Sequence, residues 1–132
     1  NKANDNIIAY LWHDVPGLQK FGKYVGNNNA DGPYVELGFR PALLWVKRTD
    51  STGNWVILDT KREPFNPVDT SLYADTADAD YAPGQDWADL LSNGFKIRAT
   101  YGEVNASSGD YIYCAWAEAP ASNLFGGQSN AR

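Results

Sequence analysis

Short apolar runs alternate with turn-forming clusters along the chain, the pattern of antiparallel strands in a sandwich or barrel. The clearest run is Ala42-Leu43-Leu44-Trp45-Val46-Lys47-Arg48, apolar over its first five positions and therefore predicted to be a strand buried on both faces. Thr49-Asp50-Ser51-Thr52-Gly53-Asn54 supplies turn chemistry, and Trp55-Val56-Ile57-Leu58-Asp59 runs back. This predicts a hairpin with a six-residue loop in which Gly53 is the residue that can take a positive φ. Further strands are predicted at residues 20–25, 34–37, 95–100 and 111–117. The one helical candidate is residues 85–91, ending at Asn93-Gly94, a pair suited to a left-handed cap.

The two ends of the chain resemble each other. Residues 1–16 align with residues 105–120, pairing Asn1 with Asn105, Ile8 with Ile112, Trp12 with Trp116 and Asp14 with Glu118. Ile8, Tyr10 and Trp12 share one parity, as do Ile112, Cys114 and Trp116, so the pairing keeps strand faces in register. One reading places two similar strands, edge or neighbouring, within one domain. Another takes residues 1–16 as the last strand of a preceding copy, which a single fixed period favours. Two amphipathic strands also match by chance. The expected organisation is a preceding-repeat or edge strand at 1–16, a sandwich domain at 17–120 and a carboxy-terminal tail at 121–132. On the preceding-copy reading the chain is a fragment ending at its natural terminus, Arg132.

Composition sharpens the class. The 132 residues include five Trp, eight Tyr and five Phe but no Met. Rings and β-branched residues fit a pleated, half-buried surface, whereas Met fills irregular cores. Twelve Gly and seven Pro break up long helices. The expected fold is all-β: an antiparallel β-sandwich, jelly-roll or lectin-like, with a long acidic loop and at most one short helix.

Charge and chemistry then narrow the function. A net charge of −5 repels phosphate backbones, so nucleic acid is not expected as a partner. No apolar run approaches the roughly 18 residues of a membrane helix, and membrane insertion is not expected. A single Cys and a single His exclude an intrachain disulfide, Cys-rich zinc modules and most nucleophile–base pairs. Carboxylates are plentiful, but most sit at turns, where capping and solubility explain them. Asp59, at the end of an apolar strand, is accounted for by a partner among Lys47, Arg48 and Arg62 as well as by catalysis. An enzyme is not expected.

The stretch from Glu63 to Asp89 stands apart, with seven acidic residues and no Lys or Arg, leaving eleven basic and nine acidic residues elsewhere. Its rings argue against disorder, because they need something to pack on. Sugars present apolar C–H faces that stack on rings, and hydroxyls that polar side chains hold. Tyr73, Tyr81, Gln85 and Trp87, with Asn28 from the Asn27-Asn28-Asn29 loop, are therefore candidate carbohydrate-binding residues, with core packing the competing role for each ring. On this reading Trp87→Ala leaves the fold intact. Asp75, Asp78 and Asp80 form a candidate Ca²⁺ cluster, three hard oxygen ligands that lack the spacing of a calcium-loop motif. Trp12, Trp45, Trp55 and Trp116 fall in predicted strands, with roles in the core or against a neighbouring chain. Lys47-Arg48 and Lys61-Arg62 are expected to be matched within the molecule or at a subunit rim.

Several motifs resemble a repeat domain found in structural proteins of tailed bacteriophages, often near tail-fibre or other appendage genes and frequently in tandem. They include Lys20-Phe21-Gly22-Lys23-Tyr24-Val25-Gly26-Asn27-Asn28-Asn29-Ala30-Asp31-Gly32-Pro33, Gly38-Phe39-Arg40-Pro41 and Val46-Lys47-Arg48-Thr49-Asp50. Gly53-Asn54-Trp55, Leu91-Ser92-Asn93-Gly94-Phe95-Lys96, Asn105-Ala106-Ser107-Ser108-Gly109 and the closing strand at residues 111–118 continue the pattern. The resemblance implies a virion surface or tail appendage, with host-surface glycan and other virion proteins as partners and a homotrimer as the common assembly. It carries no catalytic or ligand residues. The alternative is a purely structural decoration or spacer module making only protein–protein contacts.

Overall fold

The computed structural model describes residues 9–80, 84 and 86–118. Among these, eight strands and one short helix follow in the order β1 (Gln19–Val25), β2 (Tyr34–Glu36), β3 (Pro41–Arg48), β4 (Val56–Asp59), β5 (Leu72–Tyr73), β6 (Ala88–Leu91), β7 (Gly94–Ile97), α1 (Gly102–Asn105) and β8 (Asp110–Ala117). One sheet has the order β1-β8-β3-β4-β5 and the other β2-β7-β6, with every pairing antiparallel. The fold is all-β and sandwich-like.

Alternation drives the layering. In β3, Leu44 and Val46 are fully buried while Leu43, Trp45 and Lys47 on the other parity are half-buried. Their partners obey the same rule: Leu44 lies opposite Ala115 and Leu58, and Val46 opposite Tyr113 and Val56. The three-stranded sheet answers with Leu90, Phe95 and Ile97, each at 1% exposure or less. Phe95 meets Tyr24 and Tyr113 edge-on at centroid separations of 6.0 and 5.3 Å, so rings interlock across the core.

Three expectations from the sequence are corrected. The residues predicted to be helical carry strand β6, which pairs with β7 across Ser92-Asn93, so Asn93-Gly94 belongs to a hairpin and not to a helix end. Gly94 is required there for space: a Cβ would fall 2.1 Å from the Val35 carbonyl oxygen of β2. Gly53 has no positive φ; its carbonyl accepts a hydrogen bond from Lys47 Nζ at 2.9 Å, and that cation shapes the turn. Residues 9–14 form no strand, although Trp12 stacks on Phe21 of β1 at 6.4 Å.

The Glu63–Asp89 stretch is stitched down at several points. Asn66 pairs with the Leu90 backbone through both its amide groups, at 2.9 and 3.0 Å, and takes the place of a neighbouring strand. Val68 bridges Ala88, and β5 adds to the edge of β4.

At the other end of the sandwich, fully buried Asn105 is a polar hub. Its side chain accepts from Asn27 N–H at 2.8 Å and donates to the carbonyls of Asn29 and Ala99 at 2.9 and 2.8 Å. Its main chain donates to the Tyr101 carbonyl and accepts from Asn28 N–H. Replacing this side chain removes the partner of one amide and two carbonyls, the Ala99 carbonyl among them in a buried bond. Asn105→Ala is therefore expected to cost about 2–4 kcal/mol, read as a lowered midpoint in urea unfolding.

Candidate functional site

Where the β5 end of the large sheet meets the start of β6 and α1, a cleft of about 560 Å³ opens. Three rings line it, Tyr73, Trp87 and Tyr101, together with three carboxylates, Asp78, Asp80 and Glu103. Among the described residues no Lys, Arg or His lines it.

Each wall has a local cause. Trp87 is held by its backbone: its N–H donates to the Val68 carbonyl at 2.8 Å, and its carbonyl accepts from Arg98 N–H at 2.9 Å. Its ring packs on Tyr101 with centroids 5.2 Å apart and planes tilted by 42°. Tyr101 and Glu103 are carried by α1, which is too short to be stable alone and is pinned by phenols. The Tyr24 hydroxyl donates to the Val104 carbonyl at 2.7 Å; the Tyr111 hydroxyl donates to the Gly102 carbonyl at 2.6 Å and accepts from Ala106 N–H at 2.7 Å. The acidic loop begins at an anchor, with Trp55 N–H donating to Asp75 Oδ1 at 3.0 Å.

Of the residues singled out in the sequence, Tyr73, Asp78, Asp80 and Trp87 come together here. Tyr81 and Gln85 lie outside the described residues. Asn28 does not join the cleft lining: it is exposed, takes φ 52°, and its N–H is tied to the Asn105 carbonyl. Asp75 is turned to the Trp55 amide, and among the described residues no three His, Cys, Asp or Glu side chains converge closely enough to hold a metal ion. Trp87 is corrected in kind. At 1% exposure it is a core residue that also forms a cleft wall, and among the described residues its Nε1–H has no partner.

Tyr101 and Glu103 were not singled out by sequence reasoning. Both follow β7 directly, far along the chain from the acidic loop, and a ring and an acid two positions apart carry no signal until α1 is placed. Glu103 is half-buried with no donor or cation beside it among the described residues, and burial pushes its carboxyl above the ordinary value.

Elsewhere several carboxylates are paired with cations. Arg62 Nε meets Asp59 Oδ2 at 2.6 Å. Burial works to raise the Asp59 pKa, but the amides of Arg62 and Lys61 and the guanidinium together hold it below the usual range. Arg48 meets Asp50 at 2.7 Å, and Lys96 pairs with Asp31. Lys47 gives its ammonium to the carbonyls of Arg48 and Gly53.

The comparisons with known proteins bear on the chain as a whole. One family model matches residues 1–120. The chain belongs to that family, Domain of unknown function (DUF7483). No curated protein and no solved structure matches it. The DUF7483 match spans the amino-terminal segment, both sheets and every described residue of the cleft.

Two outcomes follow from this geometry. Trp87→Ala removes a buried indole from the core and is expected to cost about 3–5 kcal/mol, measured by chemical denaturation. The folded chain holds the Glu103 proton more tightly than the unfolded chain, so this group opposes folding above its folded-state pKa and ceases to do so as pH falls through it. Glu103→Gln is therefore expected to melt above the wild type at neutral pH. The gap closes in melting curves taken at successively lower pH.

Proposed function

We propose that this domain is a non-enzymatic binding module of a phage virion appendage, and that the cleft holds a glycan of the host surface. The observation that carries the reading is the convergence of three rings and three carboxylates around one opening. Tyr73 and Tyr101, both half-buried, offer ring faces to the apolar side of a sugar with the buried Trp87 behind them, and carboxylates accept from its hydroxyls. The cleft is also of the size that takes a small ligand. Binding fits better than bond cleavage because Asp78 and Asp80 ride on an exposed loop. Catalytic carboxylates are held to within roughly half an ångström by their surroundings. The virion setting, with other virion proteins as neighbours and a trimeric assembly, rests on the order of motifs shared with phage repeat domains.

A second reading, a structural module that contacts only other virion proteins, is favoured by the outer face of the large sheet. There Phe21, Cys114, Trp45 and Ile57 lie in one cross-strand row, all half-buried. Tyr10, Trp12, Phe21, Trp116 and Trp45 form a continuous series of ring contacts, with Tyr10 73% and Trp12 55% exposed. The rings meet partly edge to face, a surface suited to a protein partner more than to a flat sugar.

The two readings separate in a glycan-array screen of the wild type and Tyr101→Leu. Specific binding that falls about tenfold in the variant, with its melting temperature within a few degrees of the wild type, is the expected result. No specific binding by the wild type is the outcome that favours the structural module.

A further inference from the structure

We infer that the glycan held in this cleft carries a protonated amino group, making the ligand class an amino sugar with a free amine. The inference rests on the glycan reading above and adds the charge of the ligand. Its basis is the make-up of the cleft, where three carboxylates and three rings line one opening with no Lys, Arg or His among the described residues. Asp59, Asp50 and Asp31 each have a cation of their own. Asp78, Asp80 and Glu103 face one opening that, among the described residues, contains no cation. Arg48 is the guanidinium nearest α1, and it is taken up by Asp50 at 2.7 Å and the Gly102 carbonyl at 3.4 Å. Glu103 is the telling member. A half-buried carboxylate without a donor is costly to keep charged, and a cation brought by the ligand removes that cost.

Two further observations select an organic ammonium over a bare metal ion. The carboxylates do not converge closely enough to form a metal-binding group among the described residues. Three aromatic rings share the cleft with them, and a ring face attracts an ammonium group but adds nothing to the coordination of a hard divalent ion. Trp87 lines the same cleft, and its buried indole N–H has no partner among the described residues.

The test titrates the full chain by calorimetry with three probes: a glucosamine trimer with free amines, its fully N-acetylated counterpart and a neutral glucose trimer. The pH is kept below the pKa of the sugar amine, and the Trp87 indole N–H resonance reports binding at the cleft. The expected result is that the free-amine trimer binds about tenfold or more tightly than either neutral probe, with an advantage that shrinks as salt is added. Glu103→Gln should remove most of that advantage. Asp80→Asn, on an exposed loop where no packing is disturbed, should reduce it in the same direction. Equal binding of all three trimers at the cleft would overturn the inference while leaving the glycan reading in place. Absence of binding by every trimer would overturn both.

Discussion

The amide of Asn105 is the constraint on which the rest of the architecture depends. Strand pairing alone does not place the β1–β2 loop, the end of β7 and α1 relative to one another, because none of the three is part of a common ladder. One buried side chain links them, with an acceptor and two donors all used. The Asn105 side chain is fully buried, so losing its bonds is expensive. Only an amide has both the shape and the donor–acceptor set for this position. The phenols of Tyr24 and Tyr111 extend the same logic to the main chain of α1. A helix of four residues is thereby fixed well enough to carry Tyr101 and Glu103 into the cleft.

Trp87 couples stability to the site. The residue that fills the core beside β6 is also the one on which Tyr101 leans, so the cleft's aromatic wall is continuous with the hydrophobic interior. The opposite wall is the acidic loop, rooted at Asp75 and exposed through Asp80. One side is therefore rigid and apolar, the other solvated and charged. Such a division allows the loop to adjust to a ligand while the rings keep their spacing.

Much of the fold was legible in the sequence because the strands are long enough for parity to show. β3 and β8 declare themselves by their apolar runs, and the 42–59 hairpin forms with a turn shaped by Lys47 and not by a positive φ at Gly53. The stretch leading into β6 misled because a short apolar run satisfies both periods, and Asn93-Gly94 suits a hairpin as well as a helix end. What decides is the partner: Leu90 and Leu91 find Phe95 and Gly94 across a two-residue turn, a tertiary fact that local pattern does not contain. β5 and α1 are too short to leave a periodic trace. For the cleft, the ring-rich acidic stretch drew attention to a loop that lines it, yet two of its seven lining residues, Tyr101 and Glu103, come after β7. For Trp87, core packing and ring stacking both stood open in the sequence, and its burial decides for the core.

The resemblance between the two ends of the chain takes on a physical meaning at Phe21. Trp116 approaches that ring edge-on at 5.7 Å from within the sheet, while Trp12, its counterpart in sequence, stacks on it at 6.4 Å from a segment that forms no strand. The same indole position therefore serves two local structures, which means that selection for an outer-face contact, and not for strand formation, is enough to explain the repeated Trp. Rings on this face are satisfied by one another, whereas the carboxylates of the cleft have no counterpart among the described residues. Matched apolar surface is what a protein neighbour covers; unmatched charge beside rings is what a small ligand completes. The two surfaces lie on different parts of the sandwich and make different chemical demands, so occupying one leaves the other open.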